Sequence, residues 1–165
     1  MAPGHMMRRT GNTPGTGLQN TPLERRPREG RRLYVGVDII EIERIKLTLS
    51  RYPSRFLEKI YTPGEQAYCR GRAPQLASRF AAKEAVMKAL GTGARGVGWR
   101  DIEVQRKRGR APEIVLHDRA KARAESMGIV RIAVSLSHSR EFAIASVVAQ
   151  TASVVAGTDA RQTPE

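Results

Sequence analysis

The chain has 165 residues, enough for one domain with an ordinary core, so a single site is expected. Its 29 Lys and Arg against 16 Asp and Glu give a formal charge of +13, a field that gathers polyanions: nucleic acid, anionic lipid, a nucleotide cofactor or an acidic protein. One cysteine, Cys69, excludes an intrachain disulfide framework and cannot hold a metal alone, while no apolar run reaches the roughly 18 residues of a membrane span or forms a secretory leader, so a reducing cytoplasm is expected.

Residues 1–31 are rich in Pro, Gly, Thr and Arg with almost nothing to bury, and are expected as a disordered basic extension. Residues 32–150 form the expected domain, and residues 151–165 a small, polar, flexible tail. The charge is not confined to the extension: residues 33–150 hold 21 bases and 12 acids. Aromatics are only 5% and do not interleave with the bases, which argues against stacking on single-stranded nucleic acid.

The first element, "LYVGVDII", alternates Leu33, Val35, Val37 and Ile39 with Tyr34, Gly36, Asp38 and Ile40, a strand pattern with Asp38 as its one charge. From Glu41 the period lengthens, with Ile42, Ile45 and Leu49 at helical spacing up to Pro53. Two short helices follow across Thr62-Pro63-Gly64, where Thr62 with Glu65 three residues on reads as a capping box. A long helix is predicted from about Pro74 to Leu90, with Ala82, Ala85, Val86 and Ala89 on a face of small residues and Phe80, Glu84, Lys88 and Gly91 near the opposite side. "DIEVQRKRGRAPEIVLH" reads as a hairpin turning at Gly109, "DRAKARAESMG" as a helix stopping at Gly128, and "VRIAVSLSHSREFAIASVVA" as two strands across a polar turn. The order predicts an α+β fold: a small, mostly antiparallel sheet packed against a long central helix.

Asp38, between Val37 and Ile39, needs a cation or donors to offset its desolvation. An ion pair with an Arg, an N-cap for the next helix, or a role as metal ligand all satisfy that need. With no His and Cys cluster, such a metal would be a hard cation bound through oxygen, such as Mg²⁺. Glu84 is the second carboxylate, and its plainest partner is Lys88 at i, i+4. Arg79, Lys83 and Lys88 outnumber that one Glu, and a phosphate-rich ligand would account for the surplus. Gly91-Thr92-Gly93 can approach a phosphate closely, but it is not a Walker loop, and a Gly after a helix is commonly only a stop. His138 ends a strand at a turn, and Arg106, Lys107, Arg108 and Arg110 form a basic loop.

Taken in order, "VGVDIIEIERI", "RFLEKIYTPGE", "RFAAKEAVMKALGTG", the "DIEV" to "GRAPEI" hairpin and "VSLSHSREFAIASVV" resemble the holo-[acyl-carrier-protein] synthases, the small 4′-phosphopantetheinyl transferases, over about residues 33–150. The resemblance implies a Mg²⁺-dependent enzyme of fatty acid biosynthesis. It would move 4′-phosphopantetheine from coenzyme A to a serine of apo acyl carrier protein and release adenosine 3′,5′-bisphosphate. It implies Asp38 and Glu84 as metal ligands and Lys88 as the lysine near the coenzyme A phosphates. Arg79, Lys83, Gly91, Thr92, Gly93 and His138 would form the nucleotide-holding parts, and Arg44 a contact to the acidic carrier protein. It further implies a homotrimer with sites between subunits. The base for the serine proton stays open: water held on the metal and oriented by Asp38 or Glu84 is favoured, and Ser139 stands where a carboxylate after His138 would have been a candidate. Two rivals are weighed against this reading. A basic module binding nucleic acid would give Asp38 and Glu84 no purpose, and a nucleotide hydrolase would need no acceptor protein.

Overall fold

The computed structural model describes residues 30–107 and 109–153, so the expected extension and tail lie almost wholly outside the described residues. Strand β1 (Leu33–Glu41) leads into helices α1 (Ile42–Arg51), α2 (Pro53–Ile60), α3 (Pro63–Cys69) and α4 (Ala73–Ala89). The short strands β2 (Ile102–Gln105) and β3 (Glu113–Leu116), helix α5 (Asp118–Ser126), and the long strands β4 (Ile129–His138) and β5 (Phe142–Thr151) follow among the described residues. The predicted order of strand, helices, hairpin, helix and hairpin is the one observed, and the fold is α+β.

Two antiparallel sheets result, a three-stranded one in the order β1-β5-β4 and the two-stranded β2-β3 hairpin. Thr151 closes β5 and lies outside the segment expected to fold, because its amide bonds the Arg32 carbonyl and its hydroxyl accepts from the Arg32 amide. Helix α4 lies across the inner face of the larger sheet, against β1 and β5, and is buried around most of its circumference. That explains its weak amphipathicity: a helix enclosed on all sides needs no polar face.

Contact between α4 and β1 depends on Gly36. A Cβ there would overlap the Ala85 carbonyl and come within 3.0 Å of the Ala89 amide. The strand can therefore lie directly on the helix backbone, with small Ala85 and Ala89 beneath it. Asp38 follows two residues on and shares that face, so the same approach brings its carboxylate to the helix.

The alternation in β1 is real, but the apolar face is not the one facing the core. Leu33, Val35, Val37 and Ile39 are each more than half exposed, while Gly36 and Ile40 are buried. Val35 pairs with Val148 and Ile39 with Ile144, both also exposed, so the outer face of the sheet is a continuous apolar surface.

Candidate functional site

The β1 edge of the sheet carries the first group of polar residues. Lys88 donates to Asp38 Oδ1 at 2.9 Å and to the Val37 carbonyl at 2.8 Å. Asp38 thus takes neither predicted structural role: its cation is a lysine from α4, not an arginine, and α1 is preceded by Glu41 with no side-chain cap. The expected Lys88–Glu84 pair is absent among the described residues, because Lys88 bridges to the strand instead. Glu84 is left partly buried beside Asp38. Burial first, and then the Asp38 charge, push its carboxyl above the ordinary glutamate value, against the opposing pull of Lys88 and Arg44. Glu84 therefore senses the charges of Asp38, Lys88 and Arg44. Arg44 also borders a surface groove of about 370 Å³ with Leu47, Thr48, Arg51 and Tyr52.

Arg79 lies elsewhere. Nine residues separate it from Lys88, which at about 100° per residue places the two on opposite sides of α4. It is 3% exposed, its guanidinium sits 4.2 Å over the Tyr68 ring, and Nη1 donates to the Gln75 carbonyl at 3.3 Å. Nε and Nη2 are buried without a partner, as is Gln75 Oε1. A buried guanidinium with two unused donors is costly unless an anion completes it. Arg79 and Gln75 line a cavity of about 270 Å³ together with Tyr68, Ser78, Arg106, Leu136, Ser137 and His138. The far strand supplies its wall: Leu136 of β4 stands opposite Ala145 of β5, itself opposite Asp38 of β1. The two groups of polar residues thus sit at opposite edges of the sheet, two strand spacings or about 10 Å apart in backbone.

Gly91 and Gly93 have φ of 66° and 73°. Thr92 N donates to Met87 O and Gly91 N to Lys88 O, both at 3.1 Å, the two bonds of a Schellman stop. Gly91 is thereby accounted for as the end of α4. The loop lies at the helix end beside Lys88 and does not line the Arg79 cavity.

Lys83 is the residue whose position departs most from expectation. Its ammonium is fully buried, 2.7 Å from the equally buried Glu65 Oε2, and it also donates to the carbonyls of Trp99 and Ile102. Its ammonium is committed to these internal partners and does not line the Arg79 cavity. Burial lowers its pKa, with Glu65 acting against that shift. Glu65 closes the predicted capping box with Thr62 and accepts from Val104 N at 3.0 Å, so one buried carboxylate ties α3, α4 and β2 together. Sequence spacing identified the cap but gave no sign that Glu65 would be the partner of Lys83. Tyr68 and Arg106 of the cavity have no local signal either, since only tertiary packing brings α3 and the segment after β2 to Arg79, whereas Gln75 stands one turn earlier on the same helix.

A buried arginine with unused donors beside a cavity, and a carboxylate pair near a lysine, have the chemistry that suits a phosphorylated ligand. The chain belongs to the 4′-phosphopantetheinyl transferase superfamily, which it matches over residues 34–147. Among its relatives, the holo-[acyl-carrier-protein] synthase of Gloeobacter violaceus is 51% identical over 117 residues, covering 68% of this chain and 89% of the relative. That of Moorella thermoacetica is 46% identical over 122 residues, covering 72% and 94%. The crystal structure of Helicobacter pylori holo-[acyl-carrier-protein] synthase in complex with coenzyme A superposes with a TM-score of 0.64 at 34% identity, over 70% of this chain and 98% of the other. A Bacillus anthracis synthase in complex with CoA (3′,5′-ADP) gives 0.59, also at 34% identity, over 72% and 96%.

Proposed function

We propose that this protein transfers 4′-phosphopantetheine from coenzyme A to a serine of apo acyl carrier protein, giving holo acyl carrier protein and adenosine 3′,5′-bisphosphate, in the cytoplasm and for fatty acid biosynthesis. The observation that carries the reading is Arg79: a buried guanidinium with two unpartnered donors, on a residue that lines a cavity with His138 and Arg106. Such a pocket takes the phosphorylated ribose end of the donor. The solved relatives in complex with coenzyme A support the choice of ligand.

The second half of the reaction falls to the β1 edge. The serine oxygen bonds to the pantetheine-side phosphorus as the bond from that phosphorus to the bridging pyrophosphate oxygen breaks. Lys88, held by Asp38 and the Val37 carbonyl, brings positive charge to the developing negative charge. Asp38 and Glu84 are placed to orient the serine hydroxyl or the water that takes its proton. The same two carboxylates fit a hard divalent cation, since their mutual repulsion is relieved by one. No group of three or more His, Cys, Asp or Glu among the described residues could hold a metal, so ligand oxygens and water would complete the shell of Mg²⁺. When bound, Mg²⁺ would supply charge neutralisation at the pyrophosphate.

Because the two half-sites lie on opposite sides of α4, one chain does not close around one coenzyme A. A cyclic assembly, a homotrimer in this proposal, sets the Arg79 side of one copy against the Glu84 side of the next. The apolar outer face of the sheet supports such self-association. The groove beside Arg44 sets Arg44 and Arg51 among Glu41, Glu43 and Leu47, so it offers two cations on a mixed-charge rim to an acidic carrier protein. Intact mass of an apo acyl carrier protein after incubation with the enzyme, coenzyme A and Mg²⁺ tests the reading. One added phosphopantetheine that disappears with EDTA is the expected result. No gain across several carrier proteins with folded enzyme rejects it.

A further inference from the structure

Arg106 lines the Arg79 cavity from the segment just past β2, so its place there depends on how β2 is fastened. A reciprocal pair of carboxylates forms the fastening. Glu65 of α3 accepts from the Val104 amide of β2 at 3.0 Å, and Glu103 of β2 accepts in return from the Thr62 hydroxyl that caps α3, at 3.1 Å. The other Glu103 oxygen accepts from His117 Nε2 at 3.0 Å, at the junction of β3 and α5, where the His117 amide bonds the Asp101 carbonyl. A Cβ on Gly64 would lie 2.9 Å from Glu103 Oε1, so the carboxylate fits against the start of α3 because Gly64 has no side chain. Glu103 itself does not line the Arg79 cavity. Arg106 does, and it makes no ion pair among the described residues, so the course of β2 sets where it stands.

We infer that Glu103 is a positioning residue for donor binding: by tying β2 to Thr62 and His117 it fixes Arg106 beside Arg79 and Tyr68, where the nucleotide phosphate is held. The inference rests on the coenzyme A reading and adds to it a residue that touches neither the ligand nor the reacting atoms. Charge and positioning predict opposite signs for its removal. A carboxylate near a cationic cavity opposes an anion, so loss of its charge alone tightens binding or leaves it unchanged. Loss of the bonds that aim Arg106 weakens binding, because a charge-assisted contact to phosphate depends on its geometry.

Calorimetric titration of the full chain with adenosine 3′,5′-bisphosphate tests it. Glu103→Leu removes charge and bonds together and is expected to bind about fivefold more weakly. Glu103→Gln keeps an oxygen for Thr62 and an amide for His117, and is expected to stay within about twofold of the native protein. Arg106→Gln is expected to bind about tenfold more weakly, and adding Glu103→Leu to it should weaken binding by less than about twofold more, since Glu103 acts through Arg106. Should Glu103→Leu fail to fold, Gly64→Ala replaces it: the added methyl group moves the free end of the Glu103 side chain without removing its charge, and is expected to weaken binding about threefold, again only while Arg106 is present. Native or tighter binding by folded Glu103→Leu, or by Gly64→Ala in its place, overturns the inference. A full additional loss in the Arg106→Gln background overturns it too, as the mark of a general loosening of the fold, and so does a Glu103→Gln variant as weak as Glu103→Leu. Failure of the native protein to bind the nucleotide overturns the coenzyme A reading itself and the inference with it.

Discussion

Lys88 reaches across from α4 to bond Asp38 at 2.9 Å, joining the helix to the strand at the one place where a glycine lets them approach. Its side chain is 51% exposed, so the pair adds less than about 1 kcal/mol to stability. Its value is geometric: the ammonium is held on Asp38, within electrostatic reach of Glu84. Lys88→Met is expected to lower kcat by about 100-fold or more, to shift the melting temperature by no more than a few degrees, and to leave the affinity for adenosine 3′,5′-bisphosphate within about twofold. Steady-state kinetics, a melting curve and calorimetry check the three parts.

Glu84 gives a pH signature. Its folded pKa is raised by burial and by Asp38, so between the unfolded value and the folded one the native state binds more protons than the unfolded state. Stability from this group is therefore lost as pH rises through that window. Glu84→Gln removes the unfavourable charge and is expected to raise the melting temperature at pH 7 by about 1–3 °C while abolishing transfer. Metal affinity should fall as pH drops through the raised Glu84 pKa, sooner than for an unshifted carboxylate. Mg²⁺ titrations at several pH values test that, and an affinity flat from pH 7 down to the ordinary glutamate pKa counts against the metal assignment.

Gly36→Ala places a methyl group on the Ala85 carbonyl, where backbone must move. The expected loss is about 3 kcal/mol or more, larger than ordinary overpacking because no side chain can rotate away. Denaturant unfolding measures it. The same substitution at Gly128, with φ of 70° but open space around it, should cost only the smaller strain of that backbone conformation.

The fold was legible because its signals are local. Period-2 runs gave β1, β4 and β5, helical spacing gave α1, and Thr62 with Glu65 announced the start of α3. Asp38 and Glu84 could be singled out for a similar reason: a charge inside an apolar strand and an acid among surplus bases are visible without coordinates. What stayed hidden depends on tertiary contact. Lys83 and Lys88 look alike in sequence, yet one is locked in the core on Glu65 and the other faces the strand, because the five steps from one to the other leave them about 140° apart around the helix. The outward direction of Leu33, Val35, Val37 and Ile39 could not be read either, since alternation shows that two faces differ but not which one the core takes.

Removing one member of the Lys83–Glu65 pair tests whether it is structural. Lys83→Met leaves a buried carboxylate uncompensated and is expected to cost about 3–5 kcal/mol, whereas Lys83→Met combined with Glu65→Gln should recover part of that loss. Denaturant unfolding of the single and double variants decides it. A freely folding Lys83→Met whose only defect is weak donor binding would return Lys83 to the ligand site.

The separation of Arg79 from Glu84 across α4 leads to a mixing experiment. Arg79→Ala and Glu84→Gln each remove one half-site and are each expected to lose nearly all activity as pure proteins. If a working site takes its Arg79 side from one copy and its Glu84 side from the next, a cyclic oligomer reassembled from equal amounts of the two variants contains some junctions with both halves intact. Random assembly makes these about one quarter of all junctions, so about a quarter of native specific activity should return. The doubly substituted chain mixed with native protein serves as control, because there too about a quarter of the junctions are intact. If each chain instead carries a complete site, mixing the two single variants restores nothing, while the control keeps about half the native activity. The pair of mixtures therefore separates a shared site from a self-contained one by activity alone. Substituting Val37→Glu on the exposed apolar face should abolish both self-association and the complementation, as read by light scattering and by the same assay.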